Sequence, residues 1–247
     1  MVIIVTILGS RKSRPTGRLL AESLHARYTE ESSDDGIVIR YGNSYSRDSV
    51  SGQTINTQEA VSISSNKPRC KSLLTEQNIP TPRRISFQDA LAGNCQFPVV
   101  VRRNNHFKGK FFYLIRDPAR LRRYDPSGHY IQEYVDKIDE YRLFIMKDRI
   151  IEADLKELPE GHTNPVRNFE TGCFFRWVRV SSLSPDLKRA VRNAVQTCGL
   201  DFAAVDCATI RTPDGIKPTI FEINSAPGLI DRKIELFTNK LHELYLD

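Results

Sequence analysis

Two β-rich runs, Phe202 to Ile210 and Thr219 to Ile223, flank a Thr-Pro-Asp-Gly turn at 212–215. That turn chemistry between alternating segments predicts an antiparallel hairpin. Successive strand residues point to opposite faces. Glu222 and Asn224 therefore share one face, and Phe221 and Ile223 are expected to point the other way into apolar packing. If the strands pair across the turn, Asp206 joins Glu222 and Asn224, gathering two carboxylates and one amide oxygen. Hard oxygen ligands of this kind suit magnesium, which takes one or two carboxylates and completes its shell with phosphates and water. Without a cation the two carboxylates would repel each other. A solvated polar face on a one-sided antiparallel sheet shows the same alternation, so the residues alone leave both readings open.

The remaining pattern is that of a mixed α/β (α+β) chain. The 247 residues suffice for one to three compact units. A β-branched run over residues 2–8, helical spacing over 17–28 and a strand at Ile37–Tyr41 predict a small N-terminal α/β unit. Gly42 to Thr54 reads as a loop. Asn66 is placed to cap a helix with Pro68 in its first turn. Strands are expected at Phe97–Arg102, Lys110–Ile115, Tyr130–Val135, Tyr141–Met146 and Cys173–Val180, a helix from Pro185 to Cys198, and an amphipathic helix from Ile234 to Tyr245. The expected division is 1–62, 63–136 and 137–247.

Composition narrows the function classes. No run approaches the eighteen or so apolar residues of a membrane span, and the apolar start lacks the basic leader of a signal peptide. The five cysteines are odd in number and show no C-x-x-C spacing, so free thiols in a reducing cytoplasm are expected. A net charge of +6 favours anionic partners such as nucleotides, carboxylates or nucleic acid.

Val205-Asp206, the run Phe-Glu-Ile-Asn-Ser-Ala-Pro-Gly-Leu from Phe221 to Leu229, and several upstream motifs together resemble the ATP-grasp superfamily. The pattern is closest to the ribosomal-protein glutamate ligase and related amino-acid ligases, with D-alanine–D-alanine ligase more distant. It covers roughly Ser65 to the C-terminus, with motifs in the family's order. The resemblance implies two lobes clamping ATP behind a short N-terminal α/β unit. It implies that Asp206, Glu222 and Asn224 bind two magnesium ions, with manganese as a substitute, and that Pro227-Gly228-Leu229 turns behind them. Asn66-Lys67 matches the helix-opening pair whose lysine reaches the α-phosphate. Arg102 stands where the family carries its second nucleotide lysine, a departure that keeps the charge on a bulkier, two-donor group. The loop Asn104–Lys110 takes the place of a glycine-rich phosphate flap but keeps only Gly109, so His106 and Lys108 or Lys110 join its backbone as candidate phosphate contacts. Gln132, Glu133, Tyr134 and Val135 match the adenine-binding hinge, and Glu140 the ribose-binding acid. Arg142 sits in the family's arginine-bearing strand and needs a partner if it points inward. Arg167 and Asn168, followed by Gly172, match the segment that stabilises the acylphosphate, with Lys156 and Arg176 as further candidates.

The reaction so implied joins a small-molecule or peptide carboxylate to an amine through an acylphosphate, with ADP and phosphate released. An ATP-binding module without ligase chemistry and a kinase-like enzyme are the alternatives. A nucleic-acid binder is disfavoured, because the basic residues form no aromatic-basic platform. The substrates remain open, as does assembly into a homo-oligomer.

Overall fold

The computed structural model describes residues 4–31, 36–46, 52–104, 110–162, 164–168 and 171–246. Three sheets organise it. The first is parallel, with strands β1 (Val5–Gly9), β2 (Arg27–Thr29), β3 (Ile37–Tyr41) and β4 (Gln53–Ile55) in the order β2-β1-β3-β4. Helix α1 (Arg14–Ser23) connects β1 to β2. The helix ends before the expected limit, because the chain reverses through His25 at φ +51 and Tyr28 joins the short strand β2. The Tyr28 ring lies over Gly9 and Gly17, where an added Cβ would stand 2.6 and 2.8 Å from it. Only glycine allows that approach.

Helix α2 (Gln58–Ser65) leads directly into α3 (Lys67–Glu76). Asn66 caps α3 by accepting from the Arg69 N–H at 3.1 Å. The second sheet is antiparallel: β5 (Arg84–Ile85), β6 (Val99–Arg103), β7 (Phe112–Ile115) and β8 (His129–Glu133), in the order β5-β8-β6-β7. Val99, Val101, Ile115 and Ile131 form its core beneath α4 (Phe87–Leu91). Val100, Arg102, Tyr130 and Gln132 alternate with these residues and so face away from that core.

The third sheet holds β9 (Lys137–Met146), β10 (Arg149–Glu157), β11 (Phe174–Trp177), β12 (Phe202–Thr212) and β13 (Gly215–Asn224). Its order is β11-β10-β9-β12-β13, antiparallel throughout. One face buries Leu143, Ile145, Ala203, Val205 and Ile223 against α5 (Pro185–Thr197). The opposite face is divided. One end packs Phe144, Met146 and Phe202 against the parallel sheet and α6 (Arg232–Leu241), whereas the other end carries charged side chains. The parallel sheet thus shares a core with the five-stranded sheet.

Strand β10 lies outside the strands expected from sequence. Glu152, Asp154 and Lys156 alternate along it like a solvated face, yet all three are buried. Arg232 pairs with Glu152, and Lys233 with Asp154 at 3.0 Å. Burial of charge is tolerated where it is paired.

Asn56 ties the parallel sheet to β12. Its side-chain oxygen accepts from the Asp201 and Phe202 N–H groups at 2.7 and 3.2 Å, and its amide donates to the Phe202 carbonyl at 3.1 Å. The residue is fully buried at φ +62. Replacing Asn56 with alanine should destabilise the protein by about 3 kcal/mol, because it orphans buried backbone groups and strains a left-handed position. Urea denaturation measures this, and an unchanged midpoint would contradict it.

Candidate functional site

The hairpin brings the expected trio together. Asp206 lies opposite Glu222, and Ala204 opposite Asn224. Asn224 Nδ2 stands 3.5 Å from Asp206 Oδ2. The register then slips: Cys207 faces Ile220, leaving Phe221 as the extra residue of a β-bulge. Ile223 enters the core as alternation predicts. Phe221 departs from that expectation, and its ring lies 5.6 Å from the Lys137 ammonium, beside the charged face.

Strand β9 supplies the partner for Asp206. Arg142 sits directly opposite and donates two parallel hydrogen bonds to its carboxylate, at 2.9 and 2.8 Å. Lys156 reaches Asp206 Oδ1 and Glu140 Oε1, both at 2.8 Å. Lys137 reaches the other Glu140 oxygen at 2.5 Å and the Pro165 carbonyl at 2.7 Å. The Phe175 ring lies 5.6 Å from Arg142 and 6.0 Å from Lys156. Burial alone would raise the Asp206 pKa, but Arg142 and Lys156 outweigh it and hold the carboxyl well below its usual range. The same pairing raises Arg142 and Lys156 despite their burial.

Lys67 opens α3 with its ammonium 3.0 Å from Glu222 Oε1. It also donates to the Ser64 and Ile223 carbonyls at 3.1 and 3.0 Å. Tyr41 donates its hydroxyl to the Pro227 carbonyl, fastening the segment behind Asn224 to the parallel sheet. Arg102 projects from the face of β6 turned away from its core, with its guanidinium 5.5 Å from the Phe112 ring centre. Gln132 is buried on the same face, and no described residue pairs with its Oε1. Tyr134 and Val135 lie in the three-residue link between β8 and β9, where the second sheet joins the third. The Glu133 N–H is already used by the Arg83 carbonyl, and its carboxylate accepts from the Arg83 N–H.

Other expected residues are more distant or engaged locally. Arg167 donates to the Lys156 carbonyl at 3.2 Å and lines a cavity of about 440 Å³ with Leu155, Lys156, Pro159 and His162. The Asn168 oxygen closes a turn on the Thr171 N–H. Arg176 pairs with Glu157 at the exposed edge strand β11. Lys110 is exposed, just ahead of β7. His106, Lys108 and Gly109 lie outside the described residues. Asn43 and Asn56, polar residues near the N-terminal unit, are both buried and hydrogen-bonded to backbone. Sequence reasoning missed Lys137 and Phe175, which reach the site only through strand register.

The donor set fits a hard cation. Among the described residues no three His, Cys, Asp or Glu side chains converge as a metal cage. Two carboxylates with one amide still match a cation that takes its other ligands from phosphate and water. Removing Arg142, as in Arg142→Met, leaves the buried Asp206 with one cation fewer. The expected cost is about 3 kcal/mol. A depressed carboxylate pKa stabilises the fold above the unfolded pKa, and that stability is lost as pH falls through the folded value. The variant's Asp206 pKa rises, so acid unfolding should begin at higher pH than in wild type. A pH series of thermal melts tests both.

No protein-family model matches the chain. It is 32% identical over 112 residues to a protein named probable alpha-L-glutamate ligase 2 of Hahella chejuensis, covering 44% of this chain and 33% of that protein. The match to a probable alpha-L-glutamate ligase of Cellvibrio japonicus is 30% identical over 101 residues, 40% of this chain and 31% of that protein. The chain thus aligns with about a third of the length of these curated relatives. Among solved structures, D-alanine–D-alanine ligase from Bacillus anthracis superposes with a TM-score of 0.69 at 14% identity, over 99% of this chain and 93% of that one. The ATP-grasp ligase PsnB, complexed with a minimal precursor, gives 0.69 at 12% identity over 98% and 99%. With near-complete overlap on these ligases, this chain adopts the ATP-grasp fold.

Proposed function

We propose that the protein is an ATP-dependent carboxylate–amine ligase that forms an amide bond through an acylphosphate and releases ADP and phosphate. The observation that carries this reading is the register of β12 and β13, which sets Asp206, Glu222 and Asn224 on one face beside Lys67 and Arg142. The names of the curated relatives support it, as do neighbours described with ATP or with Mg and ADP. In this reading 63–136 and 137–247 hold the nucleotide between them, with 1–62 ahead of them. Gln132 Oε1, buried without a described partner, suits the exocyclic amine of adenine. The link at Tyr134 and Val135 would supply backbone groups to the same ring, and Glu140 would serve the ribose.

Asp206, Glu222 and Asn224 would hold magnesium, in two ions, with manganese as a substitute. Held by these residues, magnesium would supply positive charge that offsets the charge of phosphoryl transfer. Lys67, Arg102 and Arg167 add fixed positive charge along the path of the triphosphate, where preorganised cations act most strongly. Arg142 and Lys156 hold the Asp206 carboxylate in one orientation and keep it ionised. The substrate carboxylate attacks the γ-phosphorus, giving acylphosphate and ADP. The amine then attacks the acyl carbon, expels phosphate and gives up its proton. No protein nucleophile takes part, and the substrates are a small-molecule or peptide acid and an amine.

Phosphate release with Mg-ATP, screened across carboxylate and amine pairs, should identify at least one productive pair. Glu222→Gln should lower that turnover by about a hundredfold or more while the thermal melt stays close to wild type. Wild-type turnover in this variant would remove the metal assignment. ADP formation without an amide product would point instead to a kinase-like enzyme.

A further inference from the structure

Lys71 has no role in the site described above, yet it is only 5% exposed. Its ammonium reaches Thr81 Oγ1 at 3.4 Å, long for a hydrogen bond. That hydroxyl donates its own proton to the Ile220 carbonyl at 2.8 Å. Lys156 makes an instructive contrast: equally buried, it has two carboxylates at 2.8 Å. Lys71 makes no ion pair with any described residue. A buried ammonium served by a single distant hydroxyl costs stability, and an apolar side chain of similar length would cost less.

The position of Lys71 supplies a reason for the cost. Lys67 and Lys71 are one turn apart on α3 and lie on the same side of the helix. Lys67 contacts Glu222 and the Ile223 carbonyl, and Lys71 reaches the Ile220 carbonyl through Thr81. Both lysines therefore lean on β13. Lys71 feels charge from both sides of the junction, Glu222 on the third sheet and Arg102 on the second. Burial, with Arg102 and Lys67, lowers its pKa to about 8 against the opposing pull of Cys70 and Glu222. Lys67 pairs with Glu222 at 3.0 Å, while Arg102 and Glu222 both act on the charge of Lys71. The net positive charge of these groups lies where the two sheets meet, and a polyanion entering there would offset it.

We propose that Lys71 is a further phosphate-binding residue, whose ammonium completes its hydrogen bonding on a phosphate oxygen of the bound nucleotide. The proposal rests on the nucleotide reading of the site. It also explains why a chain with arginine at position 102 keeps a buried lysine nearby: the compact ammonium can occupy space that a planar guanidinium cannot.

The test is calorimetric titration of ATP into wild type and Lys71→Met, alongside thermal melts of both. Wild type should bind ATP. Lys71→Met should bind it about tenfold more weakly or worse, the loss expected for one charge-assisted hydrogen bond, while melting at the same or a higher temperature. Lys71→Gln provides a second variant should the methionine chain fail to fold, with the same expectation for affinity. Wild-type affinity in a folded variant would overturn the proposal. Lowered melting temperatures in both variants would also overturn it, since they would mark Lys71 as structural. Failure of wild type itself to bind ATP would instead remove the nucleotide reading, and Lys71's role with it.

Discussion

The buried ion-pair chain Lys137–Glu140–Lys156–Asp206–Arg142 is the constraint around which the charged end of the five-stranded sheet is built. Its members come from three adjacent strands, β9, β10 and β12, so the chain forms only when all three are in register. A one-residue slip of any of these strands would turn that strand's charges toward the apolar face packed on α5. Isolated, each charge would be costly in the interior. Interleaved, each one satisfies its neighbours.

That coupling joins packing to chemistry. The face that buries Phe144 and Phe202 beneath α6 at one end presents Asp206, Glu222 and Asn224 at the other. The apolar half holds the strands in place, and the polar half inherits its geometry from them. Tyr41 and Asn56 extend the arrangement, tying the parallel sheet to the segment after Asn224 and to the start of β12. The N-terminal unit thereby acts as a brace for the site.

The bulge at Phe221 shows how a local irregularity serves the site. Without the extra residue, strict alternation would place Phe221 in the core and leave the Lys137 ammonium beside polar groups alone. With it, an aromatic ring comes to lie near Lys137 at the margin of the charged face. Arg102, a departure from the pattern the sequence resembles, lies on β6 of the second sheet. The hairpin that carries Asp206, Glu222 and Asn224 is free of such departures.

Much of this was legible in the residues themselves. The Thr-Pro-Asp-Gly turn and its flanking alternation encode the β12–β13 hairpin, and Asn66 encodes the start of α3, because turns and caps depend on neighbours a few positions away. Strand β10 was not legible: buried acids and lysines at alternating positions look solvated until their partners on other strands and on α6 are known. Short parallel strands such as β2 and β4 were likewise hidden, since three residues carry almost no periodicity. That Asp206, Glu222 and Asn224 share one face followed from local spacing, whereas their role in binding a metal is what the resemblance implies. The contacts of the cations around the trio, Arg142 and Lys156 on Asp206 and Lys67 on Glu222, were decided only by tertiary structure. Charge burial depends on contacts between residues far apart in the chain, and those contacts exist only once the sheets have assembled.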